Sequence, residues 1–223
     1  TGKTFAYLLP CLNQWKFNKE KKAQIVIIVP TRELVAQVVN AAKELTTYMS
    51  VTVVGVYGGA NINTQAAEVL KGVDVLVATP GRLFDLLMNG AVKTRSIKKV
   101  VIDEMDEMLN LGFRTQIKNI LDLLPAKRQN LLFSATITED VELLMDTFFN
   151  EPTRVEAAPT GTPLENIEQI GYAIPNFYTK VNLLKLMLAQ DQTMTKLLVF
   201  VATKKLADEL YTQLETIYPE TCG

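Results

Sequence analysis

The amino-acid sequence predicts an α/β protein in which a mostly parallel sheet carries helices on both faces, followed by the start of a second domain of the same kind. Two observations lead to this fold class. Short, continuous apolar runs recur along the chain, and most of them are followed by a segment with apolar residues at helical spacing. Strands that are apolar throughout are typical of parallel sheets covered on both faces, and such sheets bind ligands at the carboxyl ends of their strands.

The strands and helices follow in a regular order. The run I-V-I-I-V predicts a strand at residues 25–29, and the helix after it has an apolar stripe formed by Leu34, Val35, Val38, Ala42 and Leu45. The same alternation predicts further strands at residues 51–57, 74–79, 99–103 and 130–135. It predicts further helices near residues 62–71, from Pro80 to about Gly90, up to about Leu124, and along the stripe of Val141, Leu144, Met145 and Phe148.

Three prolines and a glycine interrupt this pattern at residues 151–166, which predicts a last short strand and then a linker. We expect a first domain at residues 1–153, lacking its extreme N-terminus, a linker at 154–166, and the incomplete start of a second domain at 167–223. In that last part strand-like runs are expected at 167–174 and 196–203, with helices through Leu184 and Leu210. We therefore expect the chain to be a portion of a longer protein.

Composition excludes several classes of protein. With 223 residues and 48% hydrophobic content the chain can form a packed core, and no apolar run approaches the roughly 20 residues of a membrane span. The start resembles no secretion signal, so we expect a cytoplasmic protein without a membrane partner. Cys11 and Cys222 have no ligand-like spacing, there is no histidine, and both cysteines are expected to be free thiols. The formal net charge of −1 gives no sign of a basic nucleic-acid-binding face.

Two short segments indicate phosphate chemistry. T-G-K-T at residues 1–4 precedes a helix and is similar to the end of a phosphate-binding loop, although four residues could also be a chance helix cap. V-V-I-D-E at residues 100–104 places Asp103 and Glu104 directly after a buried strand. The four acids Asp103, Glu104, Asp106 and Glu107 could merely complement the dipole of the helix that follows. This explanation suits Glu107 well. That explanation is poor for Asp103, because a carboxylate at the end of a buried strand needs a positive partner such as Mg²⁺.

An ordered series of motifs resembles the DEAD-box ATP-dependent RNA helicases. It consists of T-G-K-T, P-T-R-E-L-V-A-Q at 30–37, Gly58-Gly59, T-P-G-R at 79–82, D-E-M-D at 103–106 and S-A-T at 134–136. The resemblance is closest over residues 1–153 and continues more weakly through L-V-F-V-A-T-K-K-L-A-D-E-L. It implies two RecA-like domains, of which the second is only begun here.

The resemblance implies a role for each matching position. Gly2, Lys3 and Thr4 would bind ATP and Mg²⁺, Asp103 would hold the metal through water, and Glu104 would be the general base. Asp106 would couple nucleotide state to domain closure together with Ser134 and Thr136. The RNA track would be lined by Pro30, Thr31, Arg32, Gly59, Thr79, Pro80, Gly81 and Arg82. The implied partners are single-stranded or short duplex RNA and proteins of ribonucleoproteins or RNA decay, around a monomeric core.

RNA binding is compatible with the neutral charge of the chain. The segments after Pro30 and Thr79 both begin helices just after strands, so free backbone N–H groups there could face phosphate oxygens with few arginines. Contacts of this kind carry no base information, so little sequence preference is expected. Each segment alone is explained better by helix capping, since Pro80 suits a first helical turn and Thr31 suits an N-cap, but the pairing of two such segments after strands favours RNA binding.

Two departures from the family pattern limit the prediction. Met105 stands where the family usually has alanine, which we expect to add bulk near the nucleotide. The adenine-reading segment, the front of the phosphate loop and the later arginine-bearing motifs are absent from these residues, so we expect little activity from the chain alone. Two alternatives stay open, a translocase on double-stranded DNA and a non-catalytic RNA-clamping scaffold. P-T-R-E-L and Asp106 argue against the first, and intact Lys3 and Glu104 argue against the second.

Overall fold

The protein is described by a computed structural model that covers residues 2–156, 168–190 and 196–219. Contacts between Cα atoms divide the chain into two units, Thr1–Thr162 and Pro163–Gly223. No described helix has both the length and the apolar character needed to cross a bilayer. Cys11 is a buried free thiol, as expected, and Cys222 lies outside the described residues.

The first unit contains five parallel strands in the order β2-β3-β1-β4-β5, which confirms the predicted α/β fold class. The strands are β1 (Ile25–Ile28), β2 (Val53–Val56), β3 (Val75–Ala78), β4 (Lys99–Ile102) and β5 (Gln129–Leu132). The helices are α1 (Lys3–Asn13), α2 (Arg32–Leu45), α3 (Ile62–Leu70), α4 (Pro80–Met88), α5 (Met105–Asn110), α6 (Arg114–Leu123) and α7 (Glu139–Phe148), with a 3₁₀ turn at Thr94–Ser96.

Strands β1, β3 and β4 are buried at all four positions, which is why they are almost entirely apolar, whereas the edge strand β5 is partly exposed. In β1, Ile25 and Ile27 pack into one core with residues of α1 and α2. Val26 and Ile28 point to the opposite face, where they pack into a second core that includes residues of α4, α6 and α7. Because alternate side chains of a strand face opposite sides, each position of a strand buried on both faces meets a helix layer, and a polar residue there needs a partner.

The order of the strands creates a crevice at the carboxyl edge of the sheet. The chain passes from β1 to β2 and β3 on one side, then to β4 and β5 on the other, so the direction of winding reverses between β1 and β4. The backbone N–H of Asp103 donates to the Ile28 carbonyl across this junction at 3.0 Å. Ligands of open parallel sheets bind at such reversal points.

The second unit contains α8 (Phe177–Gln190) and α9 (Lys204–Glu215), which share a small core of Val181, Leu210 and Leu214. The predictions of helices through Leu184 and Leu210 are therefore confirmed. The predicted strands at 167–174 and 196–203 are wrong for the described residues, and so is the short strand expected after residue 150. A strand exists only with a hydrogen-bonded neighbour, and among the described residues these segments pair with none. Much of the predicted linker, residues 157–166, lies outside the described residues.

Candidate nucleotide and RNA site

The carboxyl edge of the sheet brings the predicted site residues together in two groups. Pro30–Arg32, Gly58–Gly59 and Thr79–Arg82 follow β1, β2 and β3, which are neighbours on one side of the crevice. Asp103–Asp106 and Ser134–Thr136 follow β4 and β5 on the other side. The candidate RNA residues therefore lie beside the candidate nucleotide residues, along one edge.

Residues 2–4 of the T-G-K-T motif lie at the beginning of α1. Gly2 is the N-cap of this helix and has a φ of 96°, a left-handed conformation that favours glycine. Lys3 and Thr4 occupy the first turn, where the helix dipole and free N–H groups favour an anion. The charge of Lys3 acts on both Asp103 and Glu104, so the helix start and the end of β4 lie at the same site.

Asp103 is a buried carboxylate, with 7% of its surface exposed. Burial raises the pKa of Asp103, while the Tyr7 hydroxyl, the Glu104 N–H and the charge of Lys3 act in the opposite direction. The Glu104 N–H donates to Asp103 Oδ1 at 3.0 Å. A buried carboxylate whose charge is only partly compensated is a suitable ligand for a cation.

Tyr7 is a site residue that the sequence analysis missed. Its side chain is wholly buried, and its ring lies 5.3 Å from that of Phe133. Burial, followed by the charge of Asp103, raises the pKa of Tyr7 far above its usual value, so the hydroxyl stays protonated. This hydroxyl lies near the side chains of Thr4 and Asp103 and interacts with both, although it forms no well-aligned hydrogen bond among the described residues. The sequence indicates Tyr7 only through its spacing. It follows Lys3 by four residues, which places the two side chains next to each other on α1.

The residues around Asp103 fit a hydrated magnesium ion. The Asp103 carboxylate and the Thr4 and Tyr7 hydroxyls are oxygen groups of the kind that Mg²⁺ and its bound waters prefer. No cluster of three or more acidic, histidine or cysteine ligands exists within the described ranges. Such a cluster is not needed here, because Mg²⁺ at nucleotide sites is usually held by one or two carboxylates together with substrate phosphates.

Glu104 lies in a strained backbone conformation. Its φ of 54° and ψ of 52° are left-handed, which costs a residue other than glycine about 1–2 kcal/mol. Burial and then the neighbouring Asp103 raise the pKa of Glu104, and Lys3 opposes this shift. The carboxylate is thus held at the end of β4 as a stronger proton acceptor than an ordinary glutamate. Strained residues of this kind are common at functional sites.

Asp106 joins the segment after β4 to the segment after β5. Its Oδ2 accepts from the backbone N–H of Thr136 at 2.9 Å and from the Thr136 hydroxyl at 2.8 Å. The Asp106 N–H donates to Ser134 Oγ at 3.2 Å, and the Ser134 hydroxyl donates to the Thr136 carbonyl at 2.7 Å. Burial would raise the pKa of Asp106, but these hydrogen bonds outweigh it and lower the pKa. The three residues predicted to act together are therefore in direct contact.

The segments after β1 and β2 meet through an arginine and an aromatic ring. The guanidinium of exposed Arg32 lies 5.2 Å from the centre of the Tyr57 ring, a cation–π contact. Thr31 caps α2 by accepting from the Leu34 N–H at 3.3 Å, so the capping explanation holds for its side chain. Gly59 is exposed and has a φ of 81°, which favours glycine at this turn. Tyr57, which the sequence pattern does not reveal, positions the Arg32 guanidinium through this contact.

The predicted RNA residues in the segment after β3 are buried, except for Gly81, which is half-buried. Thr79 is the N-cap of α4, but its side chain makes no capping hydrogen bond. Thr79 and Pro80 are both buried. Arg82 is only 8% exposed, and its Nη2 donates to the Ala60 carbonyl at 2.8 Å while its Nη1 donates to Gln65 Oε1. The guanidinium thus holds the loop after β2 from inside the protein, whereas we expected it to face the RNA.

Gln65 completes this buried connection and was not predicted. It is 7% exposed, and its Oε1 also accepts from the Tyr57 N–H at 3.3 Å. Gln65 therefore joins Arg82 to the Tyr57 end of this loop, while Arg82 itself binds the Ala60 end. A glutamine among apolar residues of a predicted helix was the only signal, and it does not reveal which donors the fold brings to it.

The expected effect of Met105 is corrected by the structure. Its side chain is wholly buried in the core beneath the site, together with Met108 and Ile117. The bulk that distinguishes it from alanine therefore fills the core and does not enter the nucleotide side of β4. Met105 is linked to the site through its backbone, whose N–H donates to the Phe133 carbonyl at 3.1 Å.

Comparisons with known proteins agree with this arrangement. A family model described as DEAD/DEAH box helicase matches residues 1–144. RNA helicase CrhR of Synechocystis sp. is 36% identical over 96% of this chain and 43% of its own length. The DEAD-box ATP-dependent RNA helicase RhpA of Helicobacter pylori is 38% identical over 95% of this chain and 42% of its own length.

The fold of a solved structure also matches. A hypothetical ATP-dependent RNA helicase from Sulfolobus tokodaii gives a TM-score of 0.60 at 37% sequence identity, and the match covers 67% of this chain and 43% of that one. This chain spans about two-fifths of the length of the two curated relatives. From the family model and these relatives, the chain belongs to the DEAD/DEAH box helicase family.

Proposed function

We propose that these residues form the ATP- and RNA-binding core of an ATP-dependent RNA helicase that couples Mg-ATP hydrolysis to clamping and local unwinding of RNA. The observation that supports this most strongly is the contact of Asp106 with Ser134 and Thr136 beside Asp103 and Glu104. It links a candidate hydrolytic centre directly to a second segment of the same sheet edge. A site that only bound nucleotide would not need such a link.

In this proposal the residues of the crevice bind the nucleotide and prepare the attacking water. Lys3 and the N-terminus of α1 would hold the phosphates, and Thr4 and Asp103 would hold the metal, Asp103 through water. Mg²⁺, when bound, would neutralise charge that develops on the phosphate oxygens. Glu104 accepts a proton from water, and its raised pKa makes it a better acceptor. Tyr7 stays protonated and donates toward the Asp103 side of the site.

The neighbouring loops bind RNA through its backbone. Arg32, Gly59 and the half-buried Gly81 in the first turn of α4 would present charge and N–H groups to phosphates, and Arg82 with Gln65 supports them from inside. Asp106, Ser134 and Thr136 transmit the nucleotide state toward domain closure. The protein is proposed to act in the cytoplasm on single-stranded or short duplex RNA, with partners from ribonucleoproteins or RNA decay, and the present chain alone is proposed to hydrolyse ATP poorly.

The experiment is the substitution Glu104→Gln in the full-length protein that carries this chain. We expect RNA-stimulated ATP hydrolysis to be lost while ATP and RNA binding stay within about twofold, since the amide keeps the shape but cannot accept the proton. Glu107→Gln is the matched control, because Glu107 is exposed on α5 and should leave hydrolysis intact. Hydrolysis that survives Glu104→Gln would disprove the assigned role of Glu104.

The two alternative functions give different results in the same assays. A translocase on double-stranded DNA would be stimulated by duplex DNA and not by RNA. A non-catalytic RNA clamp would release no phosphate from ATP even in the wild-type protein. Stimulation by RNA alone, with phosphate release, would support the helicase proposal against both.

A further inference from the structure

A groove of about 650 Å³ lies at the amino edge of the sheet, opposite the nucleotide and RNA site. Its walls come from the segment before β1, the end of α4, the 3₁₀ turn before β4 and the end of α6. A smaller recess of about 140 Å³ continues from it and shares Glu20, Lys22, Val92 and Lys93. The larger groove is within the usual range of ligand-binding clefts, about 300–1,000 Å³.

The rim of this groove is strongly basic although the whole chain is not. Lys21, Lys22, Lys93 and Arg95 line the groove and its recess, and all four are exposed. Glu20 is the one acid among the described residues that line them, and it is ion-paired with Lys22. In a chain of net charge −1, such a local excess of positive charge must be matched by negative charge elsewhere on the molecule.

The floor of the groove is aliphatic. Leu87 and Val92 are nearly buried, while Leu123 is 42% exposed and available for contact. Two hydrogen bonds hold the backbone of the rim. The Val73 N–H donates to the Lys21 carbonyl at 2.9 Å, and the Ser96 hydroxyl donates to the Lys93 carbonyl at 3.0 Å. The groove is therefore a shaped surface with an apolar base and a positive rim.

The location of the groove separates it from the proposed catalytic edge. Lys21 and Lys22 precede β1 and Arg95 precedes β4, whereas Pro30 and Asp103 follow the same two strands. In a parallel sheet the two ends of the strands are opposite edges, about 13 Å apart for strands of four residues. A partner in this groove would leave the nucleotide crevice and the RNA loops free.

The chemistry of the groove favours a peptide over a nucleic acid. Surfaces that bind single-stranded nucleic acid combine a basic groove with aromatic rings on which bases stack. None of the described residues that line the groove or its recess is aromatic. An aliphatic floor with a basic rim is complementary to a segment in which acidic side chains alternate with aliphatic ones.

We propose that this groove is a docking site for a segment of a partner protein in which acidic side chains alternate with aliphatic ones such as leucine. Lys93 and Arg95 bind the carboxylates of this segment, and Leu123 contacts its aliphatic side chains. The proposal does not depend on the proposed helicase function, because it uses none of the residues of the carboxyl edge. A protein bound there could hold the enzyme on an assembly while RNA and ATP bind at the other edge.

The test measures binding of a fluorescent synthetic peptide, in which pairs of glutamates alternate with single leucines, to the full chain. The variants are the double substitution Lys93→Glu with Arg95→Glu, and Leu123→Glu as an independent change in the floor. Lys204→Glu with Lys205→Glu is the charge-matched control, since both lysines are exposed in the first turn of α9 in the other unit. Thermal denaturation verifies that each variant is folded.

We expect the double substitution in the groove to weaken peptide binding about tenfold or more and the control to change it less than about twofold. Binding should also weaken with added salt and be lost when the glutamates are replaced by glutamines. Equal affinity of the wild-type and groove variants for the peptide would overturn the proposal. So would a loss of binding to a single-stranded uridine oligonucleotide, and not to the peptide, because that result would identify a nucleic-acid surface.

Discussion

The buried connection between Gln65 and Arg82 leads to a prediction that separates a supporting role from RNA contact. We consider Gln65→Leu, which keeps much of the side-chain volume but removes the oxygen that accepts from the Arg82 guanidinium and the Tyr57 N–H. Arg82 Nε already has no hydrogen-bond partner among the described residues, so the substitution leaves a buried guanidinium with Ala60 as its remaining hydrogen-bond acceptor. The distant Asp85 carboxylate, 3.9 Å from Nε, cannot replace Gln65.

The size of the effect follows from these two bonds. A hydrogen bond to a charged group contributes about 1.5–3 kcal/mol and a neutral one about 0.5–1.5 kcal/mol, so a loss of about 2–4 kcal/mol in the free energy of unfolding is expected. For a chain of this size that corresponds to a fall in Tm of about 5–15 °C. RNA affinity should fall as well, although Gln65 itself is buried and cannot touch RNA.

The assay combines thermal denaturation with fluorescence anisotropy on a labelled single-stranded RNA. Gln14→Leu is the matched control, because Gln14 is exposed at the end of α1 and should change neither measurement. A Tm within about 1 °C of wild type would refute the reasoning, since it would mean that Gln65 does not hold the Arg82 guanidinium. A lower Tm with unchanged RNA affinity would show that the connection stabilises the fold without shaping the RNA site.

Two further predictions concern Met105 and Asp106, which follow β4. Met105→Ala should lower the free energy of unfolding by about 2–5 kcal/mol, measured in urea, yet leave ATP affinity unchanged, because the lost side chain fills the core; a weaker ATP affinity in a stable variant would contradict this. Asp106 has a lowered pKa in the folded state, so its charge contributes stability that is complete above about pH 4 and is lost as the pH falls through the folded pKa. The urea midpoints of wild type and Asp106→Asn should therefore converge at low pH, and a constant difference between them would argue against the hydrogen bonds from Thr136.

Much of the first unit could be predicted from local patterns. The apolar runs at 25–29 and 99–103 contain β1 and β4, and the stripe from Leu34 to Leu45 lies within α2. These predictions succeeded because burial on both faces requires apolar residues at every strand position, which is a property visible in sequence. The run at 196–203 is similarly apolar and the run at 167–174 is less so, but no neighbouring strand pairs with either among the described residues, and Leu198 and Phe200 are largely exposed.

The candidate site likewise contains some residues that the sequence predicts and others that only the fold places there. Asp103 and Glu104 could be identified because acids directly after a buried strand are rare without a compensating charge. The burial of Arg82 could not, because a T-P-G-R segment reads the same whether its arginine faces RNA or turns inward to Gln65 and Ala60. Tyr7 and Tyr57 are ordinary apolar-aromatic positions in sequence, and only the packing places them beside Asp103 and Arg32.

By itself the sequence determined the α/β class, the positions of the five strands and the identity of the acids that follow β4, because these depend on residue type and on local spacing. The tertiary structure alone decided the strand order, and with it which loops meet at the crevice between β1 and β4. It also decided the charge distribution. A net charge of −1 conceals a basic groove, because Lys21, Lys22, Lys93 and Arg95 become neighbours only when the starts of β1 and β4 lie at one edge. Electrostatic surfaces depend on distances in space, which spacing along the chain does not record.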